Sequence, residues 1–282
     1  MKQAVAKVMG RQRSCMPRLV RRTVTVLSIV SSKPVSLTEL YDQTGIHRST
    51  LLRILNALIS EELVRRSSGD GKYRVTHKVR NWGQRLSASD HLAEVACELL
   101  KAHAEAVKWP TDLLMLHPQH PCLVVIETNR PQSPFPVKLN QIGHTVPLLP
   151  SAAGRTYLAF LSEKKRESML HRLLGRARTT LGQTEKYEEL QSDLQAVNER
   201  GFGNRARFFR GGNYRDERSE RDGLLAQAVP VFHNDSVVAV VNTQWNSKAH
   251  NEEEFSTLYL SKQIDLAGFI SAKLSKPNEI IV

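Results

Sequence analysis

Ser49, Arg53, Asn56 and Ser60 recur every three or four residues along RSTLLRILNALIS, so on a helix they share the side opposite Leu51, Ile54, Leu55 and Leu58. Hydroxyls, a guanidinium and an amide on one protruding stripe can hydrogen-bond base edges in a major groove, where arginine matches guanine and asparagine matches adenine. Thr50 lies at the flank of that stripe. His47 and Arg48 open the helix, where side chains meet base edges and backbone amides meet phosphate. Taken alone, the pattern also fits an ordinary amphipathic surface helix.

A second kind of chemistry is offered by Ser151-Ala152-Ala153-Gly154, which follows Pro150. Small side chains at the start of a helix leave amides open at the positive end of its dipole, a place for a carboxylate. A plain serine cap is the simpler alternative.

Enzymatic patterns are weaker. Gly201-Phe202-Gly203-Asn204-Arg205-Ala206 has the G-x-G-x-x-A spacing but follows a predicted helix and leads into a strand, the reverse of a dinucleotide fold, and reads as a loop. His117 and His120 stand beside Pro118 and Pro121 with no carboxylate or cysteine near in sequence except Cys122, and read as surface histidines. The acidic runs Glu61-Glu62 and Glu252-Glu253-Glu254 read as helix-face charges. Arg205, Arg207, Arg210, Arg215, Arg218 and Arg221, interleaved with acids and glycine, read as a solvated loop. The chain has no G-x-S-x-G, P-loop or H-E-x-x-H motif. No enzyme, metal or cofactor is called for.

The elements that must position the first stripe can be read from local signals. RRTVTVLSIVS suits a first helix, ended by Pro34. Ser36-Leu37-Thr38-Glu39 fits a capping box, which starts a second helix running to Thr44, and Gly45 turns the chain into the third. Two strands, 63–67 and 72–76, flank Ser68-Gly69-Asp70-Gly71, with Tyr73 and Val75 inward and Lys72 and Arg74 outward. Three helices and a basic hairpin make a winged helix-turn-helix, whose outward cations reach phosphates and add affinity without sequence information.

Beyond it a connecting helix is placed near 78–88, then a helix with Leu92, Val95, Ala96, Leu99, His103 and Ala106 on one stripe. His103 reads as a satisfied packing residue. After Pro110 come runs rich in Val and Leu, read as strands over 112–117, 122–128, 135–139, 224–232 and 237–245, the last two joined by His233-Asn234-Asp235-Ser236. Helices are expected over 151–161, 163–173, 184–200 and 251–275. Grouping without strand-helix alternation predicts an α+β domain with an antiparallel sheet flanked by helices.

Composition agrees. At 282 residues the chain is long enough for two domains. Residues 1–85 hold 17 Lys and Arg against 5 Asp and Glu, whereas the remainder holds 23 of each, so the whole formal excess of +12 sits in the first third. A basic head before a neutral body implies a polyanion partner, nucleic acid before membrane, because no cationic helix rich in Trp or Phe accompanies it. No apolar run reaches the roughly 18 to 20 residues of a membrane span, and no secretory signal is read, so a cytoplasmic protein is expected. Cys15, Cys97 and Cys122 lie far apart and read as reduced thiols.

The stretch LTELYDQTGIHRSTLLRILNALISEELVRR resembles the DNA-binding region of IclR-type bacterial transcription regulators. Arg48, Ser49 and Thr50 match the family's basic residue, Ser and Thr, while His47 stands where a proline is common. Thr38, at the start of the second helix, joins the candidate DNA contacts: His47, Arg48, Ser49, Thr50, Arg53, Asn56, Lys72 and Arg74. The resemblance also covers V-K-W-P-T-D, V-I-E-T and TVPLLPSAAGRTYLAF. It implies a basic extension over 1–18, the winged domain over 19–77, a linker helix over 78–90 and a GAF-like effector-binding domain over 91–282. In that domain it implies an effector pocket at Ser151, Ala152, Ala153 and Gly154, faced by Asp216, Ala226, Asn242 and Gln244. Asn242 and Gln244 alternate along a strand and share one face. The usual hydroxyls and thiol of the family are replaced by Asn242, Gln244 and Ala226.

The partners so implied are double-stranded operator DNA, a small organic acid such as a hydroxyphenylpropionate, a second copy in a homodimer or homotetramer, and RNA polymerase if the protein activates. Dimerisation also follows physically, since one recognition helix buries too little surface for tight specific binding. Two alternatives remain open at this point: an enzyme of organic acids using Ser151, and a DNA-binding protein whose second domain only oligomerises.

Overall fold

The structure, a computed structural model, describes residues 17–84, 87–135, 141–174, 181–214 and 222–275. It separates into two compact units, one ending at Ala88 and the other beginning at Ser89. The expected extension over 1–18 lies outside the described residues except for Pro17 and Arg18.

The head contains α1 (Arg18–Ser32), α2 (Leu37–Thr44), α3 (Arg48–Ser60), β1 (Val64–Arg66), β2 (Tyr73–Val75) and α4 (His77–Gln84). The capping box predicted for α2 is present: Glu39 N–H donates to Ser36 Oγ at 3.2 Å, and Ser36 N–H donates to Glu39 Oε2 at 2.6 Å. Gly45 ends α2 with φ +63°, a left-handed conformation that would strain a residue bearing a Cβ. Strand β1 pairs antiparallel with β2, placing Val64 opposite Val75 and Arg65 opposite Arg74, and Val35 adds one rung beside Tyr73. Val26, Val30, Leu40, Leu51, Ile54, Leu55 and Leu58 close one small core with Val64 and Tyr73. This burial leaves the opposite side of α3 in solvent.

The body contains α5 (Ala88–Ala106), β3 (Thr111–Leu116), β4 (Cys122–Thr128), a 3-10 turn (Arg130–Gln132), β5 (Thr145–Pro147), α6 (Ala152–Ala159), α7 (Glu163–Leu174), α8 (Leu181–Arg200), β6 (Gly203–Asn204), β7 (Leu224–His233), β8 (Ser236–Asn246) and α9 (Glu252–Leu274). Six antiparallel strands lie in the order β5-β4-β3-β8-β7-β6. The hairpin expected at 233–236 joins β7 to β8, with Asn234 and Asp235 both at positive φ. Alternation along each strand sends Leu113, Val229 and Val241 to the face covered by α5 and α9, and Leu114, Ala228 and Val240 to the face of α6.

Three expectations need correction. Phe135 does not begin a strand; it sits in a bend with its ring stacked on Trp109 at 3.9 Å, and residues 136–139 of that reading lie outside the described residues. Strands β5 and β6 were not expected, and β6 falls within the presumed loop after Gly201. His103 is buried as expected but is not satisfied: neither ring nitrogen has a hydrogen-bond partner, and burial pushes its pKa down to about 4.

Candidate functional site

In the head, Ser49, Arg53, Asn56 and Ser60 are all exposed on α3, and Thr50 is half-buried at its flank. Arg53 has no ion-pair partner among the described residues. His47 supplies the cap that a proline would have replaced: its Nδ1 accepts from the Ser49 amide at 3.4 Å and lies 2.8 Å from Ser49 Oγ. Arg48 stands with its guanidinium carbon 5.5 Å from the centre of the Tyr41 ring. Thr38 is exposed on α2.

The wing cations are arranged differently from expectation. Arg74 grips Asp70 with two hydrogen bonds of 2.9 and 2.7 Å, which hold the Asp70 carboxyl far below the usual carboxylate range. Lys72 lies 3.5 Å from Glu39. Both side chains therefore brace the hairpin, one against its turn and the other against α2. Unpaired charge lies elsewhere: a groove of about 420 Å³ runs between the end of α1, the outer face of β1 and β2, and the start of α4. Lys33, Arg65, His77 and Arg80 line it together with Arg74, and no carboxylate does.

The body holds a cavity of about 710 Å³, within the range of small-molecule sites. Ser151, Ala152, Ala226, Asn242 and Gln244 line it, whereas Ala153 and Gly154 do not. Asp216 lies outside the described residues. Ser151 caps α6 by accepting from the Gly154 amide at 2.9 Å while donating to the Pro147 carbonyl at 2.5 Å. Its hydroxyl is thereby committed on both sides, and the Gly154 amide is closed to a ligand. Gly154 serves packing instead, because a Cβ there would collide with the backbone of Leu148. Asn242 is 4% exposed and lines the cavity.

One buried and one half-buried ion pair, both missed by sequence reasoning, complete the walls. Arg130 donates to Asp112 through Nε at 2.8 Å and Nη2 at 2.7 Å, Thr128 Oγ1 donates to the same carboxylate at 2.7 Å, and Arg130 Nη2 reaches Gln244 Oε1 at 3.3 Å. Across the cavity Arg205 pairs with Asp222 at 3.0 Å and also donates to the Leu224 and Phe209 carbonyls. The signal was an acid inside the apolar strand TDLLML, since a buried carboxylate requires a partner. Apolar walls come from Leu114, Val125 and Val146 and from the rings of Trp109, Phe135 and Phe209.

The candidate histidines do not form a metal centre. His117 and His120 stack at 4.7 Å, and His117 Nδ1 accepts the Gln119 and His120 amides, so the ring shapes a turn. Among the described residues no group of three potential ligands comes together, and no helix is long and apolar enough to cross a membrane.

A winged helix-turn-helix head, with a polar helix face protruding beside unpaired cations, defines a DNA-binding regulator of transcription. Residues 19–68 match the IclR helix-turn-helix domain and residues 84–272 match the bacterial transcriptional regulator IclR C-terminal domain. The chain belongs to the IclR family of bacterial transcription regulators. It is similar to a probable transcriptional regulator, SauR, of Cupriavidus necator, at 26% identity over 76% of this chain and 80% of that one. Its fold is like that of Thermotoga maritima IclR, at 19% identity and a TM-score of 0.51 over 91% of this chain and 98% of that one. The same identity, coverage and TM-score relate it to an IclR homolog from Microbacterium hydrocarbonoxydans complexed with 4-hydroxybenzoate.

Proposed function

We propose that this regulator binds operator DNA as a homodimer or homotetramer and that its body senses a small aromatic acid. The reading is carried by one observation: a cavity of about 710 Å³ walled by the rings of Trp109, Phe135 and Phe209 and bordered by the side-chain amides of Asn242 and Gln244. A side-chain amide on such a wall can donate its N–H to a ligand oxygen or accept from a ligand hydroxyl. The Ala152 end of α6, which borders the same cavity, adds the positive end of a helix dipole for a carboxylate. Each ion pair is neutral in itself, so the walls suit a ligand with one anionic group and an aromatic body and no second charge. The 4-hydroxybenzoate held by the Microbacterium relative belongs to that class. A hydroxyphenylpropionate in particular draws no support from these relatives.

Within this proposal α3 enters the major groove, with Arg53 and Asn56 against base edges, and ligand binding alters operator affinity or the recruitment of RNA polymerase. An activator role and a cytoplasmic location are part of the same proposal. A non-enzymatic role is supported by Ser151, whose hydroxyl donates to the Pro147 carbonyl and is hydrogen-bonded to no side-chain base among the described residues. The test combines thermal melting of the full chain with benzoates and phenylpropionates and sequencing of genomic DNA retained with and without the stabilising acid. One acid should raise the melting temperature in a concentration-dependent way. Asn242→Leu should abolish that rise, and the acid should change DNA retention. No stabilisation by any acid, or turnover of a bound acid that Ser151→Ala abolishes, would overturn the proposal.

A further inference from the structure

Leu52, like Ile59 in the last turn, is a residue on α3 that neither the core nor the polar stripe accounts for. Its side chain is 40% exposed, and it is absent from the cluster that Leu51, Ile54, Leu55 and Leu58 form. On the helix it stands one turn from Ser49 and from Asn56 and adjoins Arg53, so it lies within the protruding face and in its amino-terminal half. That half is the part of a recognition helix that meets base edges. Its neighbours there are partly spoken for: the Ser49 hydroxyl is held by His47, and the Arg48 guanidinium lies over Tyr41. Leu52, Arg53 and Asn56 are left to reach outward.

A leucine offers a groove no hydrogen bond. The major groove has a single apolar handle, the 5-methyl of thymine, which cytosine lacks and which uracil also lacks despite identical pairing edges. We infer that Leu52 is a base-reading residue that packs its isobutyl group on a thymine methyl beside the bases met by Arg53 and Asn56. The inference rests on the proposed docking of α3 in the major groove and adds a specificity to it. Arginine and asparagine then read hydrogen-bonding edges, and Leu52 reads the methyl between them.

The test starts from randomised duplexes enriched on the full-length protein. Each thymine of the selected sequence is then replaced singly by deoxyuridine, which removes one methyl and leaves pairing intact. Wild type should lose about fourfold in affinity at one thymine per half-site, the worth of one buried methyl group. Leu52→Ala should bind the thymine and deoxyuridine duplexes equally, whereas Arg53→Ala, weaker overall, should keep the methyl effect. Because Leu52 lies outside the core, unchanged thermal melting of Leu52→Ala shows that the loss is one of reading rather than folding. Failure of any sequence to enrich would overturn the groove reading and this inference together. Enrichment that depends on Arg53 but shows no deoxyuridine effect, or an effect that survives in Leu52→Ala, would overturn the role of Leu52 alone.

Discussion

The head and the body use charge in opposite ways. In the head, Arg53, Arg65 and Arg80 are exposed and have no acidic partner among the described residues. In the body, Arg130 is buried and Arg205 half-buried, and each is held by a carboxylate, Asp112 or Asp222. An exposed cation costs little to keep and is free to exchange its counterions for phosphate. A buried one is tolerated only while paired, and in return fixes the walls around a cavity. The contrast separates a surface suited to a polyanion from an interior that, in the proposed reading, holds one small molecule.

The strongest way to break the contrast is to remove one buried partner. Arg130→Ala leaves Asp112 buried and unpaired, and should lower the unfolding free energy of the full chain by about 3 to 5 kcal/mol in a urea titration. Arg65→Ala, by comparison, should leave the midpoint nearly unmoved. A small loss for Arg130→Ala would mean that the pair is hydrated and that the distinction between the two units is wrong.

A second effect of similar origin comes from His103. Burial disfavours its charged form, so the folded pKa is about 4 against an ordinary 6.5 when unfolded. Between these values the unfolded chain takes up a proton that the folded chain does not, so stability is full above pH 6.5 and falls as the pH drops towards 4. The loss is on the order of 3 kcal/mol. Replacing the ring by leucine (His103→Leu) should flatten that part of the profile, measured as melting temperature against pH. An identical slope in the variant would assign the acid sensitivity to other groups.

The smallest effect sharpens the account of the head. Arg65→Ala with Arg80→Ala should lower the slope of log affinity against log salt, on a mixed-sequence duplex, by about one for each phosphate that is no longer neutralised. Lys72→Ala with Arg74→Ala should change it less, because those cations already face Glu39 and Asp70. The reverse ranking would return the phosphate-binding role to the hairpin's tip.

Legibility followed the range of the interactions. The head is made of local signals, so the Ser36 and Glu39 box, the Gly45 turn and the apolar stripe of α3 could be read from neighbouring residues. The His47 ring cap was not foreseen, because it depends on side-chain geometry. In the body, the β7 and β8 hairpin was legible for the same local reason, whereas β5 and β6 are three and two residues long and too short to show alternation. Ser151 and Ala152 could be read locally as a helix start, whereas Asn242, Gln244 and Ala226 were reached through family resemblance, and all five border one cavity. The partners of Asp112 and Arg205 were not, because 18 and 17 residues separate each acid from its arginine and no periodicity links them.

Gly154 sets where this cavity can give. With no room for even a β-carbon above Leu148, α6 rides directly on the backbone of the turn after β5, with no side chains as a cushion. The wall carrying Ser151 and Ala152 is therefore stiff. In the proposed reading, differences in ligand girth fall to the ring-bearing part of the wall, formed by Trp109, Phe135 and Phe209. Congeners of one acid that differ in bulk at the ring should thus be accommodated more readily than those altered beside the carboxylate.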